Sequence, residues 1–322
     1  MNDSIGIRTG NGIAESPAEA TCTELEAVSK SYAGRLVLQE VSMNIRPGTI
    51  TALIGRNGSG KSTLLSILAG LVQVTSGVIH RKTDLLIGYA PEAFPGLKFT
   101  PEQYLRSMGK IRGLSAGEIE VRMAELLELF QLVPFQGQPM INFSKGMLQK
   151  INLIQSLLVE PELLLLDEPM SGLDLSAQNT LVQLLRERKK KGTAVIFSVH
   201  EPQWVEALAD QLHILQAGRT VRTWQGMDEL SARPSTYIVF KHLQEEELLD
   251  WREQPGFLSM QAVTELPDQP CLGLCVDAAV SDNFLRLVLE RGGSIVSVEL
   301  RDGWADLVQW MNPKTPEGGE RS

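Results

Sequence analysis

The chain has 322 residues, 43% of them hydrophobic, and its 39 acidic and 30 basic side chains give a net charge of -9. The length favours one large domain with a smaller one attached, and the charge argues against a nucleic-acid partner or anionic lipid bound through a general basic surface. Three cysteines without a nearby histidine predict neither a disulfide framework nor a zinc site.

The first twenty residues predict a flexible tail, because they carry neither the basic start nor the apolar stretch of a secretory signal. No later stretch approaches the ~18 continuous apolar residues of a membrane-spanning helix. The nearest one, LIQSLLVEPELLLLDEP, is interrupted by Glu160, Pro161 and Glu162. We therefore expect any membrane role to depend on a partner chain.

Between residues 25 and 54, short alternating segments separated by turn formers predict antiparallel strands that lead into a glycine-rich loop. The loop, GRNGSGKST, matches the pattern G-x-x-x-x-G-K-[ST] and is followed directly by the helical spacing of STLLSILAGL. Glycine lets the backbone approach a ligand closely, so that successive N-H groups and the helix N-terminus can hold phosphate. Lys61 would place a charge on the outer phosphates, and Ser62 would offer its hydroxyl to Mg²⁺. The residues expected to bind the nucleotide are Gly55, Asn57, Gly58, Ser59, Gly60, Lys61, Ser62 and Thr63.

A helix-rich segment is predicted from about residue 101 to residue 159. Ser115 and Glu118 form a capping-box pattern ahead of an apolar stripe with intervals of three and four. Further along, Ser144 precedes another helix whose first turn it is placed to cap. The open N-H groups of that turn would make a second phosphate site in the chain.

Two continuous apolar runs, LLLLD and AVIFSVH, predict parallel strands that are covered on both faces. The first ends in Asp167, which would lie at the carboxyl edge of the sheet and hold Mg²⁺ through its water shell. Glu168 beside it would orient or deprotonate an attacking water. His200 ends the second run, where a lone histidine would be structural in most proteins.

Beyond residue 221 the sequence predicts a small α+β unit without a nucleotide motif. We place the larger domain at 21–225, with a helical subdomain at about 92–160, and the smaller domain at 230–312, followed by a loose tail at 313–322. Within the smaller domain, Cys271 and Cys275 are expected on one face of a strand. Its predicted elements are STYIVF, a helical LQEEELLDW, SMQAVTEL, CLGLCVDA, a capped helix SDNFLRLVLERGG, and SIVSVEL.

Two phosphate sites in a chain that holds one nucleotide make sense if each nucleotide lies between two chains. At this point the sequence resembles the ATP-binding subunits of ABC transporters over residues 25–222. Its SKGMLQ corresponds to their signature, more often S-G-G-Q, and Asp174 in MSGLDL is similar to the aspartate of their D-loop. His200 resembles their switch histidine, and Tyr32 resembles the aromatic side chain that stacks on adenine.

The resemblance implies an α/β fold of the P-loop NTPase type: a mixed sheet core with an antiparallel β subdomain and a helical subdomain, here followed by the small α+β domain. It implies a head-to-tail dimer, of two copies or of one copy with a relative, that closes on two ATP and Mg²⁺ and hydrolyses the ATP. Ser144 and Gly146 would complete the other chain's site, and His200 would contact the γ-phosphate. The expected Mg²⁺ ligands are Ser62, Asp167 and Glu92.

Two positions depart from the family pattern. Glu92, in GYAPEAF, stands where the family usually has glutamine. Its carboxylate can still bind Mg²⁺, but a fixed negative charge replaces the neutral amide that usually serves the coupling role of this position. Lys145 replaces the first glycine of the signature.

The resemblance implies an ATPase that powers a transmembrane permease from the cytoplasmic face of the membrane, with Glu92 and the helical subdomain as the docking face. The FSKGM and YAPE segments and the C-terminal unit are most similar to bacterial exporters of drugs, peptide antibiotics and lipids. One alternative is a soluble ATP-driven clamp that acts on a ribosome, DNA or an assembly complex. A small-molecule kinase shares only the phosphate loop.

Overall fold

The computed structural model describes residues 21–226, 234–244, 248, 250–252, 254–263 and 271–301. They belong to two compact units, one ending at Gln225 and the other beginning at Gly226. The two predicted tails, 1–20 and 313–322, lie outside the described residues. Among the described helices, none has the length and apolar character needed to cross a membrane.

The first unit alternates strands and helices along most of its length. Two short 3-10 turns, Val133–Phe135 and Met140–Asn142, precede its fourth helix. In chain order its elements are β1 (Thr23–Tyr32), β2 (Arg35–Ile45), β3 (Ile50–Ile54), α1 (Lys61–Leu68), β4 (Ser76–Arg81), β5 (Ile87–Ala90), α2 (Pro101–Ile111), α3 (Ala116–Leu129), α4 (Lys145–Leu157), β6 (Leu163–Leu166), α5 (Leu175–Lys190), β7 (Ala194–Ser198), α6 (Pro202–Leu208), β8 (Gln211–Gln216) and β9 (Arg219–Gln225).

A mostly parallel sheet with the strand order β5-β6-β7-β3-β8-β9 forms the centre of this unit. The strands from β5 to β8 pair in parallel, and β9 runs antiparallel to β8. Every residue of β3, β6 and β7 is buried, which explains why these segments are apolar without alternation. The two predicted parallel strands are confirmed.

A second sheet, in the order β2-β1-β4, is antiparallel and confirms the predicted pairing of the first two strands. The prediction was wrong for β3, which pairs in parallel with β7 and β8 instead. The reason is burial on both faces, since all five residues of β3 are inaccessible. Helix α1 packs in the core between the two sheets through Leu64, Leu65 and Leu68.

The helical segment begins as the sequence predicts. Ser115 accepts a hydrogen bond from the Glu118 N-H, and the Glu118 carboxylate accepts one from the Ser115 N-H, which confirms the capping box. The same arrangement at Thr100 and Gln103 starts α2 and was not predicted. Ser144 caps α4 by accepting a hydrogen bond from the Met147 N-H at 3.2 Å, as expected.

The second unit contains β10 (Ser235–Lys241), β11 (Phe257–Val263), β12 (Cys271–Asp277), α7 (Ser281–Glu290) and β13 (Ser294–Arg301). Its antiparallel sheet has the order β11-β12-β10-β13, which is the strand order of a ferredoxin-like fold. The core on one face includes Phe240, Trp251 and Phe284.

The predicted strands of this unit are confirmed, and Cys271 and Cys275 are buried positions separated by four residues on β12, so they share a face. The helix predicted at 243–251 falls in part outside the described residues. The predicted cap of α7 was wrong, because the Ser281 hydroxyl donates to the Ala278 carbonyl instead of accepting a helix N-H.

Candidate functional site

Three parallel strands end at the same edge of the central sheet and present the predicted chemistry there. The glycine loop follows β3, Asp167 and Glu168 follow β6, and His200 follows β7. Parallel strands place their carboxyl ends together, so segments distant in sequence meet at one site.

The glycine loop is pressed closely against neighbouring backbone. Gly60 has φ 106°, a backbone conformation that strains other residues, and a side chain there would place its Cβ 3.0 Å from the Val37 carbonyl oxygen and 2.6 Å from Leu38 Cδ2. A Cβ on Gly55 would lie 2.3 Å from the Leu215 carbonyl oxygen. Both positions therefore require glycine, and the loop presents main-chain N-H groups rather than side chains.

Lys61, the first residue of α1, is buried beneath the loop with 6% of its surface exposed. Its ammonium donates to the Gly55 carbonyl at 2.7 Å and to the Arg56 carbonyl at 3.3 Å. Burial lowers the pKa of Lys61, and the carboxylates of Glu168, Asp167 and Glu92 act in the opposite direction. The lysine charge thus interacts electrostatically with the three predicted acidic residues.

Asp167 is almost fully buried, at 1% exposure. Its Oδ1 accepts the Ser198 hydroxyl at 2.6 Å, whereas its Oδ2 has no hydrogen-bond partner among the described residues. A buried carboxylate oxygen without a donor is costly in a folded protein, and a divalent cation with oxygen ligands would satisfy it. The residues at this edge therefore fit Mg²⁺, with Ser62 exposed in the first turn of α1 as a further oxygen ligand.

Glu168 and His200 are in direct contact, through Glu168 Oε1 and His200 Nε2. The backbone of Glu168 is left-handed, with φ 48°, which costs an ordinary residue about 1 kcal/mol or more. Its N-H donates to the Ser198 hydroxyl at 2.8 Å. The structure thus joins the two predicted catalytic residues at the sheet edge.

Ser198 was not among the predicted site residues, although it contacts both members of the Asp-Glu pair. The sequence contained a usable signal, because a hydroxyl interrupts an otherwise apolar buried run. In the parallel register Leu166 lies opposite Phe197, so the next residue of each strand, Asp167 and Ser198, also face each other.

Glu92 is exposed two residues beyond the end of β5, and the backbone just before it, Tyr89–Pro91, is fixed to α4. The Asn152 amide donates to the Pro91 carbonyl at 2.6 Å, and the Gln155 amide donates to the Tyr89 carbonyl at 2.6 Å. The position of the Glu92 backbone therefore depends on α4.

The start of α4 packs against the loop that follows Glu168. A Cβ on Gly146 would lie 2.4 Å from the Gly172 carbonyl oxygen, and Lys145 Nζ donates to the Ser171 hydroxyl at 3.0 Å. Lys145, the departure from the signature, thus contacts its own chain. Among the described residues, the Ser144 hydroxyl accepts its hydrogen bond from the Met147 N-H of its own helix, and none joins Ser144 to the glycine loop.

Asp174 begins α5, where its carboxylate accepts the Ala177 N-H at 2.8 Å and pairs with Lys150 at 3.0 Å. The Ala177 N-H and then Lys150 hold the pKa of Asp174 below its usual value.

Tyr32 ends β1 with 45% of its surface exposed, and Lys30 Nζ lies 4.8 Å from its ring centroid. An exposed ring is available to stack on a planar base.

A groove of about 540 Å³ lies beside this site, between the central sheet and the helical segment. Its apolar lining includes Leu71 and Leu86, which are 69% and 50% exposed. Arg112 and Gln155 supply polar groups, and Pro91 places the Glu92 segment at its border. An exposed apolar groove of this kind is suited to bind a partner segment.

Comparison with known proteins places the chain among ATP-binding proteins of transporters. A family model described as ABC transporter matches residues 38–171. The uncharacterized ABC transporter ATP-binding protein YxlF of Bacillus subtilis strain 168 is 35% identical over 259 residues, which cover 76% of this chain and 86% of that protein.

Two further relatives carry functional names. The zinc import ATP-binding protein ZnuC of Halorhodospira halophila strain DSM 244 / SL1 is 33% identical over 63% of this chain and 76% of its own length. The linearmycin resistance ATP-binding protein LnrL of Bacillus subtilis strain 168 is 32% identical over 62% of this chain and 67% of its own length.

A solved structure of an ATP-binding subunit of an ABC transporter is 33% identical, with a TM-score of 0.61 over 66% of this chain and 92% of that one. With the mixed central sheet, the antiparallel sheet and the helices described above, this likeness confirms the predicted P-loop fold class.

Proposed function

The chain belongs to the family of ABC transporter ATP-binding proteins, whose members hydrolyse ATP, and we propose that it powers export through a separate transmembrane permease. The observation that carries the chemistry is the convergence of Lys61, Asp167, Glu168 and His200 at one edge of the central sheet. ATP hydrolysis depends on such positioning and on charge stabilisation of the transferred phosphoryl group.

Phosphate binding rests on the glycine loop and the N-terminus of α1. The loop N-H groups and the positive end of the helix dipole attract phosphate oxygens. Lys61 exchanges its hydrogen bonds to the Gly55 and Arg56 carbonyls for the outer phosphates of ATP. Tyr32 would stack on the adenine. Ser62, Asp167 and Glu92 would hold Mg²⁺, which would neutralise charge on the phosphates.

Hydrolysis requires a base beside the attacking water, and Glu168 takes this role. The water oxygen attacks the γ-phosphorus, the bond to the bridging oxygen of ADP breaks, and the Glu168 carboxylate accepts the water proton. His200 contacts Glu168 directly and so fixes the carboxylate. When ATP is bound, the same ring would contact the γ-phosphate.

A second chain completes each site. Ser144 and Gly146 lie at the exposed start of α4, and Ser144 makes no described hydrogen bond to the glycine loop of the same chain. In a head-to-tail dimer these residues and the open helix N-terminus would face the ATP of the partner, whether that partner is a second copy or a relative.

The groove beside Glu92 is the proposed docking site of the permease, which would hold the chain on the cytoplasmic face of the membrane. Its exposed apolar lining suits a helix presented by a membrane protein. Contacts made in the groove would reach the site through the segment Tyr89–Pro91, which α4 holds by two hydrogen bonds.

The docking proposal is tested by affinity purification. We expect the tagged Glu168→Gln variant to co-purify a polytopic membrane protein from cells that are gently solubilised with ATP and Mg²⁺. Adding Leu86→Glu should remove that protein, because the charge lies in the groove. Val221→Glu, at a 43% exposed apolar position on β9 and so outside both the groove and the helical subdomain, serves as the matched control. Recovery of a ribosome, DNA or a soluble complex without a membrane protein would favour the clamp alternative and contradict docking.

Export, the direction favoured by the FSKGM and YAPE motifs, is supported by the relative named for linearmycin resistance, whereas another relative is named for zinc import. A deletion strain should become sensitive to amphiphilic antibiotics, and the intact gene should restore resistance while Lys61→Ala should not. Normal antibiotic resistance combined with a growth defect that zinc repairs would contradict export.

A further inference from the structure

We propose that Ser198 is a positioning residue that orients both carboxylates of the site at once, an assignment that rests on the proposed ATPase function. Ser198 is fully buried at the end of β7. Its hydroxyl lies between the Asp167 carboxylate, at 2.6 Å, and the Glu168 N-H, at 2.8 Å.

The direction of the two hydrogen bonds is fixed by chemistry. A main-chain N-H can only donate, so the Ser198 oxygen accepts from Glu168. An ionised carboxylate can only accept, so the single hydroxyl proton goes to Asp167 Oδ1. The serine therefore makes both bonds with no freedom to rotate, and its burial shields them from exchange with water.

Each bond has a distinct effect on the site. The bond to Oδ1 holds the Asp167 carboxylate so that Oδ2, which has no hydrogen-bond partner among the described residues, is left for the cation. The bond from the Glu168 N-H stabilises the left-handed backbone that directs this side chain to His200. One hydroxyl thus couples the metal-binding carboxylate to the base.

The decisive measurement is the gain in ATP affinity that Mg²⁺ provides, determined calorimetrically in the Glu168→Gln background with either EDTA or Mg²⁺. That background keeps the residue 168 N-H, so the contact with Ser198 is retained. Loss of groups that orient metal ligands typically reduces metal affinity about 10- to 100-fold. We expect Ser198→Ala to leave the affinity in EDTA unchanged and to reduce the Mg²⁺-dependent gain by about tenfold or more.

Ser156→Ala is the matched control. Ser156 is equally buried, and its hydroxyl donates to the Leu153 carbonyl at 2.7 Å within α4. Ser156→Ala therefore deletes the same buried hydroxyl at a position where it does not contact the two carboxylates. A second readout needs no ligand: hydrogen exchange of the amide at residue 168 should accelerate in Ser198→Ala and stay slow in Ser156→Ala.

An equal Mg²⁺-dependent gain in the two alanine variants, or unchanged exchange at residue 168, would overturn the role of Ser198. If Ser198→Ala does not fold, Ser198→Thr and Ser198→Cys replace it in the same measurement. The threonine hydroxyl should preserve the Mg²⁺-dependent gain in ATP affinity, and the weakly donating cysteine thiol should reduce it. A full gain with cysteine would contradict the proposal. Failure of the parent Glu168→Gln chain to bind ATP would instead contradict the proposed function.

Discussion

His213 makes the stability of the first unit sensitive to acid. It lies in β8 with 5% of its surface exposed, and its Nδ1 has no hydrogen-bond partner among the described residues. Burial lowers the pKa of His213 from 6.5 to about 4. Between pH 6.5 and about pH 4, His213 therefore binds a proton in the unfolded chain but stays neutral in the folded chain.

This difference in proton binding sets the direction and the size of the change in unfolding free energy with pH. Above pH 6.5 both states are neutral at this residue, so His213 costs no stability there; as the pH falls toward 4, protonation of the unfolded chain lowers the free energy of unfolding. The loss amounts to about 2 kcal/mol at pH 5 and about 3 kcal/mol at pH 4. Below that, the folded state also binds the proton and the loss stops increasing.

Urea unfolding at pH 7 and pH 5 tests this reasoning with the variants His213→Leu and His213→Gln. Both should reduce the difference in the free energy of unfolding between the two pH values by about 2 kcal/mol. The two replacements control for packing, since they differ in polarity but share the absence of the titrating group. A difference as large as that of the unsubstituted chain in both variants would refute the buried neutral histidine.

Glu168→Gln should bind ATP, dimerise and hydrolyse it at least about 100-fold more slowly, because general-base assistance contributes that much; near-normal turnover would reject Glu168 as the base. Ser144→Arg and Lys61→Ala chains should each be inactive alone, and co-expression should restore ATPase activity through one intact composite site; full activity of Ser144→Arg dimers would refute the role across the interface. Gly60→Ala should abolish ATP binding measured by calorimetry and destabilise the unit by about 1–3 kcal/mol, because the added methyl is strained and overpacked; unchanged binding would show that the loop can move away from β2.

The sequence predicts the site well where residue type and chemistry are tightly linked. Gly55, Gly60 and Lys61 are recognisable because a phosphate site built from backbone tolerates few other residues. Asp167 is recognisable because it directly follows four consecutive leucines, a pattern typical of a strand that is covered on both faces. The placement of β3 was not predictable in this way. Five apolar residues in a row indicate burial but not which strand lies beside them.

Ser198 and Lys145 show where pattern reasoning fails for physical reasons. The role of Ser198 depends on the register between β6 and β7, which no local pattern contains. Lys145 was noted only as a departure from the signature, and no sequence pattern indicated that its side chain reaches Ser171 in the same chain. Tertiary contacts determine where a long flexible side chain points. Here the close packing of Gly146 on Gly172 brings the loop that contains Ser171 next to Lys145.

Helix α4 connects parts of the site that act in different steps. Toward its C-terminal end, Asn152 and Gln155 hold the carbonyls of the segment that borders the groove. Nearer its N-terminal end, Gln149 donates to the Pro169 carbonyl at 3.2 Å, beside the hydrolytic residue, and Lys150 pairs with Asp174 just before α5. The N-terminus of the same helix, at Lys145, carries the signature proposed to serve the partner's ATP. Because a helix tends to move as a unit, we expect a displacement of the groove segment to act also on the loop behind the base and on the surface offered to the second chain.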